Sequence, residues 1–318
     1  MASKHIPLFD GHCDTLSRML LHPDERLFFG HGQWNLDLAV RYRPQAQFFA
    51  VFWDSKAPMA RYFAKRQLKI FTRDCKQFQD KVMLCRTADE AKLAGEQRKL
   101  AAFLSLEGAE LIGCSERELE KWHKKGLRMV NLTWCHANAL SGSSMEENQR
   151  GLSEKGKSFV RKANELGVLV DVSHLSDAGF WDVVKLSEES KMPIVASHSN
   201  SREVFSHARN LTDEQFNAIM KYHGVVGLNA YARFLGEGQV TSETLLAHLE
   251  HFLALGGERT VALGGDWDGC NALPKGYSGV WSWADFYETL LQHNYKESLI
   301  NDLFYNNFMR TVNRVCTM

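Results

Sequence analysis

Hydrophobic and polar positions along the chain follow two alternating rhythms. Short β-branched or aromatic runs are each followed by a longer stretch in which apolar residues recur every three to four positions, the pattern of parallel strands joined by crossover helices. Eight runs read as strands: IPLFDGHCD, AQFFAVFWD, AAFLSLEG, GLRMVNLTWC, GVLVDVSH, PIVASHSN, GVVGLNAYA and TVALGGDWDG. Eight is the number that closes a (β/α)8 TIM barrel.

The intervening segments carry helix punctuation. SERELEKWHKKG opens on Ser115 with Glu118 three residues on and stops at Gly126, a capping-box start and a glycine end. TDEQFNAIMKYHG repeats this with Thr212, Gln215 and Gly224, and SETLLAHLEHFLALGG does so again. Residues 19–43 and 138–151 read as long loops, which in a compact domain usually serve a site.

Composition fits this picture. At 318 residues with 44% hydrophobic and 24% charged positions, the chain can bury a sizeable core, and one barrel domain over 1–318 is expected. Lys+Arg and Asp+Glu both number 38, so there is no net basic field to hold nucleic acid or anionic lipid. The opening MASKHIPLFDGHCD has no apolar segment of signal-peptide length, and no run of about 18 apolar residues follows. A cytoplasmic protein without membrane partners is expected. The seven cysteines are scattered and lack CxxC spacing, so they read as reduced thiols and leave His, Asp and Glu as the metal-binding types.

Ionisable residues cluster at the C-terminal ends of the strand runs. His12 and Asp14 close the first, Glu107 the third, His174 the fifth, His198 the sixth and Asp266 the eighth. In this barrel those ends meet at one mouth. Strand period two places His12 and Asp14 on one face and turns Cys13 away. Any one of these residues alone is more often a hydrogen-bonded or solvated side chain, and it is their coincidence that argues for metal. Nitrogen and oxygen donors of this kind suit zinc, with other divalent metals also accommodated. Five ligands exceed the needs of one catalytic ion but divide between two that share Glu107 and a hydroxide. Asp266 and Asp268, two apart in GGDWDG, are not separated by spacing. Asp266 is placed as the proton shuttle because it lies nearer the strand end, although both could instead cap the turn beside Gly269.

The series DGHCD, SLEG, GVLVDVSH, PIVASHS, ARN and GGDWDG, in this order and across essentially the whole chain, resembles the membrane dipeptidase (renal dipeptidase) family. The resemblance implies a (β/α)8 barrel and zinc-dependent hydrolysis of small dipeptides, L-Xaa-D-Xaa among them. It assigns His12, Asp14 and Glu107 to one zinc, Glu107, His174 and His198 to a second, and acid/base catalysis to Asp266. It assigns the substrate carboxylate to Arg209, whose planar fork suits bidentate binding, and a pocket wall to Tyr231. A homodimer is also in keeping with the family. Two positions depart from its pattern: Cys13 stands where DGHND is common, and Trp134 stands where mammalian members carry a substrate-contacting His, with His136 two residues displaced. The Trp-type motif is similar to that of bacterial members. Rival readings are another amidohydrolase activity, on N-acyl amino acids or small cyclic amides, and a non-catalytic metal-binding barrel.

Overall fold

A computed structural model describes residues 5–146 and 149–317. The opening residues 1–4 of the amino-terminal stretch, residues 147 and 148 of the predicted 138–151 loop, and Met318 lie outside the described residues.

The strands are β1 (Ile6–Cys13), β2 (Tyr42–Val51), β3 (Val82–Leu84), β4 (Leu100–Glu107), β5 (Leu127–Asn131), β6 (Leu169–Asp171), β7 (Val195–Ala196), β8 (Val225–Leu228) and β9 (Val261–Leu263). β2 pairs with both β1 and β4, and pairing then runs through β5, β6, β7, β8 and β9 back to β1, all parallel. The closed ring therefore contains the eight expected strands, a (β/α)8 barrel. β3 is additional. It pairs with Leu100–Ala102 at the start of β4, and its three residues are too short to register as a strand in the sequence pattern.

The helices begin where the sequence marks them. Ser115 accepts from the Glu118 amide ahead of Glu116–Lys124, and Thr212 and Gln215 form the reciprocal box ahead of Asp213–Lys221; each such cap is worth about 1 kcal/mol. For the helix Ser242–Ala254 the cap is Thr241, one residue before the expected start, and its amide donates to Thr244 Oγ1 at 3.2 Å. The predicted 19–43 loop is shorter at both ends, since a helix covers Thr15–Leu21 and β2 opens at Tyr42. No helix among the described residues is long and apolar enough to cross a membrane. All seven cysteines are free.

Inward residues of the strands, among them Phe9, Phe48, Phe103, Met129, Leu169 and Val225, form a core with Phe308, Met309 and Val312 from the last helix, Asn307–Val315. That helix closes the N-terminal end of the barrel. The catalytic-type residues occupy the other end, above this apolar plug.

Two local distortions determine which side chains reach the mouth. In β1, Phe9 faces the inner core while Leu8 belongs to the outer layer, so strict alternation would send His12 outward. The register slips between Asp10 and Cys13, where three residues of β1 span two of β2, from Asp10 opposite Gln47 to Cys13 opposite Phe49. This bulge turns His12 into the barrel. In β7 the backbone itself moves inward after Ala196. A Cβ on Gly11 would lie 2.8 Å from the Ser197 carbonyl oxygen, and one on Gly227 or Gly264 would collide with it outright. Glycine at these positions makes room for the Ser197 backbone and so for the inward turn of His198.

Gly227→Ala and Gly264→Ala should each lower the unfolding free energy by about 1–3 kcal/mol or more, the usual cost of overpacking a close backbone contact. Urea denaturation measures this. Unchanged stability would mean that Ser197 can retreat without cost.

Candidate active site

Five of the predicted residues converge around Glu107. Its Oε2 lies 3.5 Å from His12 Nε2, and its Oε1 lies 2.9 Å from His174 Nε2 and 3.7 Å from His198 Nε2. Asp14 Oδ2 is 3.5 Å from His12 Nε2, and the His174 and His198 Nε2 atoms face each other at 3.0 Å. Ligand atoms of His12, Glu107 and His198, and separately of His12, Asp14 and Asp266, fall within 4.8 Å of one another. None of these side chains is more than 8% exposed.

Such a pocket disfavours most of the charges it holds. Burial pushes the Glu107 carboxyl up, reinforced by Asp14, and burial likewise pushes Asp266 up against the attraction of His12. Burial pushes both other imidazoles well down, aided at His174 by Arg209 and at His198 by His12 and then Arg209. For His12 burial also acts downward, but Glu107 and Asp14 outweigh it and raise the ring's pKa. A divalent cation is the species that reverses this cost, since it favours ionised carboxylates and neutral imidazoles together. The donors fit one. Both His12 ring nitrogens and Asp14 Oδ1 are buried with no hydrogen-bond partner, and buried polar atoms rarely remain so without an ion or water.

Asp266 and Asp268 part company in the structure. Both have positive φ, 59° and 64°, in the left-handed region where Asp is among the tolerated residues. Asp266 stays at the cluster and accepts from Asn229 Nδ2 at 3.1 Å. Asp268 turns away to accept from Thr15 Oγ1 and the Gln33 amide, both at 2.7 Å, and thereby ties the loop after the first helix to the barrel. Arg209 is 4% exposed, donates from Nη2 to the His198 carbonyl at 3.3 Å, and lies 5.5 Å from the centre of the Phe234 ring. Its Nε has no partner. Tyr231 is half-buried and donates its hydroxyl to Asn271 Oδ1 at 2.9 Å. Trp134 packs on Phe52 with centroids 4.7 Å apart and lies 6.4 Å from the His174 ring. His136 points instead to Glu146, at 3.7 Å, so it does not replace a His at position 134.

The supporting residues were not singled out from sequence. Asp10 is wholly buried and its carboxylate accepts from the His12 amide, Gln47 Nε2, the Gly265 amide and the indoles of Trp267 and Trp283, at 2.6–3.2 Å. It pins the β1 bulge to β9 and β2. Asp171 does comparable work in β6, where Oδ1 accepts from the Ser173 and Ser197 amides at 2.9 and 3.0 Å. Ser197 Oγ meets His198 Nδ1 at 2.7 Å and leaves Nε2 facing the cluster. An available signal was the lone Asp inside the apolar runs IPLFDG and GVLVDV, because a carboxylate in a buried strand must find donors.

The sequence profile of membrane dipeptidases (peptidase family M19) matches residues 2–318. The chain belongs to this family. A metallo peptidase of Rhodobacter sphaeroides, solved with a phosphinate mimic of the dipeptide L-Ala-D-Ala, is 28% identical, with a TM-score of 0.89 over 98% of this chain and 100% of its own. The structure of dipeptidase AC, a metallo peptidase of the same family, is 29% identical, with a TM-score of 0.90 over 99% and 100% of the two chains. An uncharacterized protein of the PQQ-III 3′ region of Acinetobacter calcoaceticus is 29% identical over 289 residues, covering 80% of this chain and 91% of its own. Family membership makes the chain a peptide-bond hydrolase, a metallo-dipeptidase on a TIM barrel.

Asp10→Asn should cost about 2–4 kcal/mol of stability, because an amide nitrogen then faces indole and backbone donors in a dry site. Thermal and urea unfolding give the measurement. A variant as stable as its parent would remove Asp10 from the framework.

Proposed function

We infer that this dipeptidase uses two zinc ions to hydrolyse small dipeptides, including those with a D-residue at the C-terminal position, within one catalytic unit over residues 1–318. The observation that carries this reading is the division of the Glu107 oxygens, one toward His12 and the other toward His174 and His198. A carboxylate so placed suits a bridge between two cations. His12, Asp14 and Glu107 would hold one ion, and Glu107, His174 and His198 the other. The borderline nitrogen and oxygen donor set favours zinc. The phosphinate dipeptide mimic held by the Rhodobacter relative supports L,D-dipeptides as substrates.

When bound, the metals acidify a water to make the nucleophile and polarise the scissile carbonyl. The protein's own groups do the rest. Asp266, raised by burial and oriented by Asn229, takes the proton from the attacking water on its carboxylate and passes it to the leaving amine. Arg209 presents a buried guanidinium with a free Nε to the substrate's terminal carboxylate, and a charge-assisted bond there fixes the register of the scissile bond. Trp134 and Tyr231 wall the pocket. With Trp134 in place of a His and His136 turned to Glu146, this loop offers no imidazole to the carbonyl, whose activation would be left to bound metal.

Elemental analysis together with a screen of L,L- and L,D-dipeptides tests the assignment. Two equivalents of zinc and turnover of L,D-dipeptides are expected, whereas turnover of N-acyl amino acids alone would make the chain a different amidohydrolase. Asp266→Asn should lower kcat by about 10²–10⁴ while both metals are retained, and a fully active variant would remove Asp266 from catalysis. Arg209→Ala should lower kcat/KM for dipeptides by about 10²-fold or more, through loss of a buried charge-assisted contact. It should act far less on dipeptide amides, which lack the carboxylate. Equal losses on both substrates would contradict the assigned contact.

A further inference from the structure

At the end of the barrel opposite the catalytic mouth, where β2 and β4 begin, lies a cleft of about 300 Å³. The eight residues of β4 from Leu100 to Glu107, seven rises along the strand, set it about 23 Å from the metal-binding rim. Its lining carries charges of both signs: Arg43, Lys81, Arg98 and Lys99 on one hand, Asp37 and Asp80 on the other, with the Lys81 ammonium over the Phe29 ring. None of the six forms an ion pair within 4.0 Å with any described residue. Opposite charges that share a cleft without pairing are poised for a ligand that carries both. Gln45 adds an independent sign. It lines the same cleft, is 6% exposed, and its amide Nε2 is buried with no hydrogen-bond partner, a donor that stays costly until something accepts from it. Arg43 and Lys99 are themselves half-buried. Arg98 holds a left-handed backbone at φ 58° just beyond the helix Ala88–Glu96, where glycine or Asn is usual. The remaining wall is apolar, from Leu36, Pro44 and Leu100.

We propose that this cleft binds a free amino acid in its zwitterionic form. The carboxylate meets the Arg43, Arg98 and Lys99 cations and, once the Gln45 side chain turns its buried amide toward the cleft, Nε2 as well; the ammonium meets Asp37 or Asp80, and an apolar side chain lies on Leu36, Pro44 and Leu100. The volume matches a ligand of this size, at the small end of ordinary pockets. Amino acids are what dipeptide hydrolysis releases, so the cleft would sense product; that link rests on the proposed activity, whereas binding in the cleft does not.

The test is calorimetric titration of the full chain with L-leucine, N-acetyl-L-leucine and L-leucinamide. The catalytic mouth is held saturated by a phosphinate dipeptide mimic. One equivalent of leucine should bind at millimolar concentration, and the acetylated and amidated forms, each missing one charge, should bind at least about tenfold more weakly. Arg98→Gln and Asp80→Asn, both at exposed positions, should each weaken leucine by a similar factor and leave dipeptide hydrolysis unchanged. The proposal fails if leucine does not bind with the mouth blocked, if N-acetyl-L-leucine binds as well as leucine, or if neither substitution alters the affinity. Activity and zinc content of the parent protein report separately on the catalytic reading.

Discussion

Concentrating three imidazoles and three carboxylates in a water-poor rim is the constraint around which the barrel is organised. Each group alone would be expensive to bury, and together they are tolerable only as a set that a cation can satisfy. The surrounding framework therefore consists of rigid devices that aim these six side chains, since a cluster of donors displaced by an ångström loses its geometry.

The aiming devices are carboxylates and glycines placed beneath the rim. Asp10 holds the bulge that reverses the facing of His12, and Asp171 gathers the amides of Ser173 and Ser197 where β6 and β7 leave the sheet. Gly227 and Gly264 surrender side-chain volume so that the Ser197 backbone can lean inward. Strand, bulge and close approach thus act as one unit: the donors of the rim stand on irregular backbone, and the irregularity is held from below by fully buried acceptors.

Much of this was legible in the chain. The eight barrel strands, the caps at Ser115 and Thr212, and the gathering of His12, Asp14, Glu107, His174 and His198 all follow from periodicity and from where ionisable residues end apolar runs. The bulge did not, because period two relates His12 to Asp14 but is silent on which face the pair occupies once a register slip intervenes. Asp266 and Asp268 were equivalent by spacing and separate only through partners distant in sequence, Asn229 for one and Thr15 and Gln33 for the other. β3 escaped because three residues carry too little pattern, and Asp10 because its five donor groups come from four separate stretches of chain.

The helix Asn307–Val315 seals the lower end of the barrel with Phe308, Met309 and Val312. Every strand precedes it in the chain, so a ribosome delivers the whole staves-and-hoop assembly before its stopper. Phe9, Phe48 and Phe103 find their cover in that helix, so a barrel formed before it was made would leave them without Phe308, Met309 and Val312. Sealing of the inner core thereby waits on the synthesis of residues 307–315, and exposed apolar surface before that point is what invites aggregation.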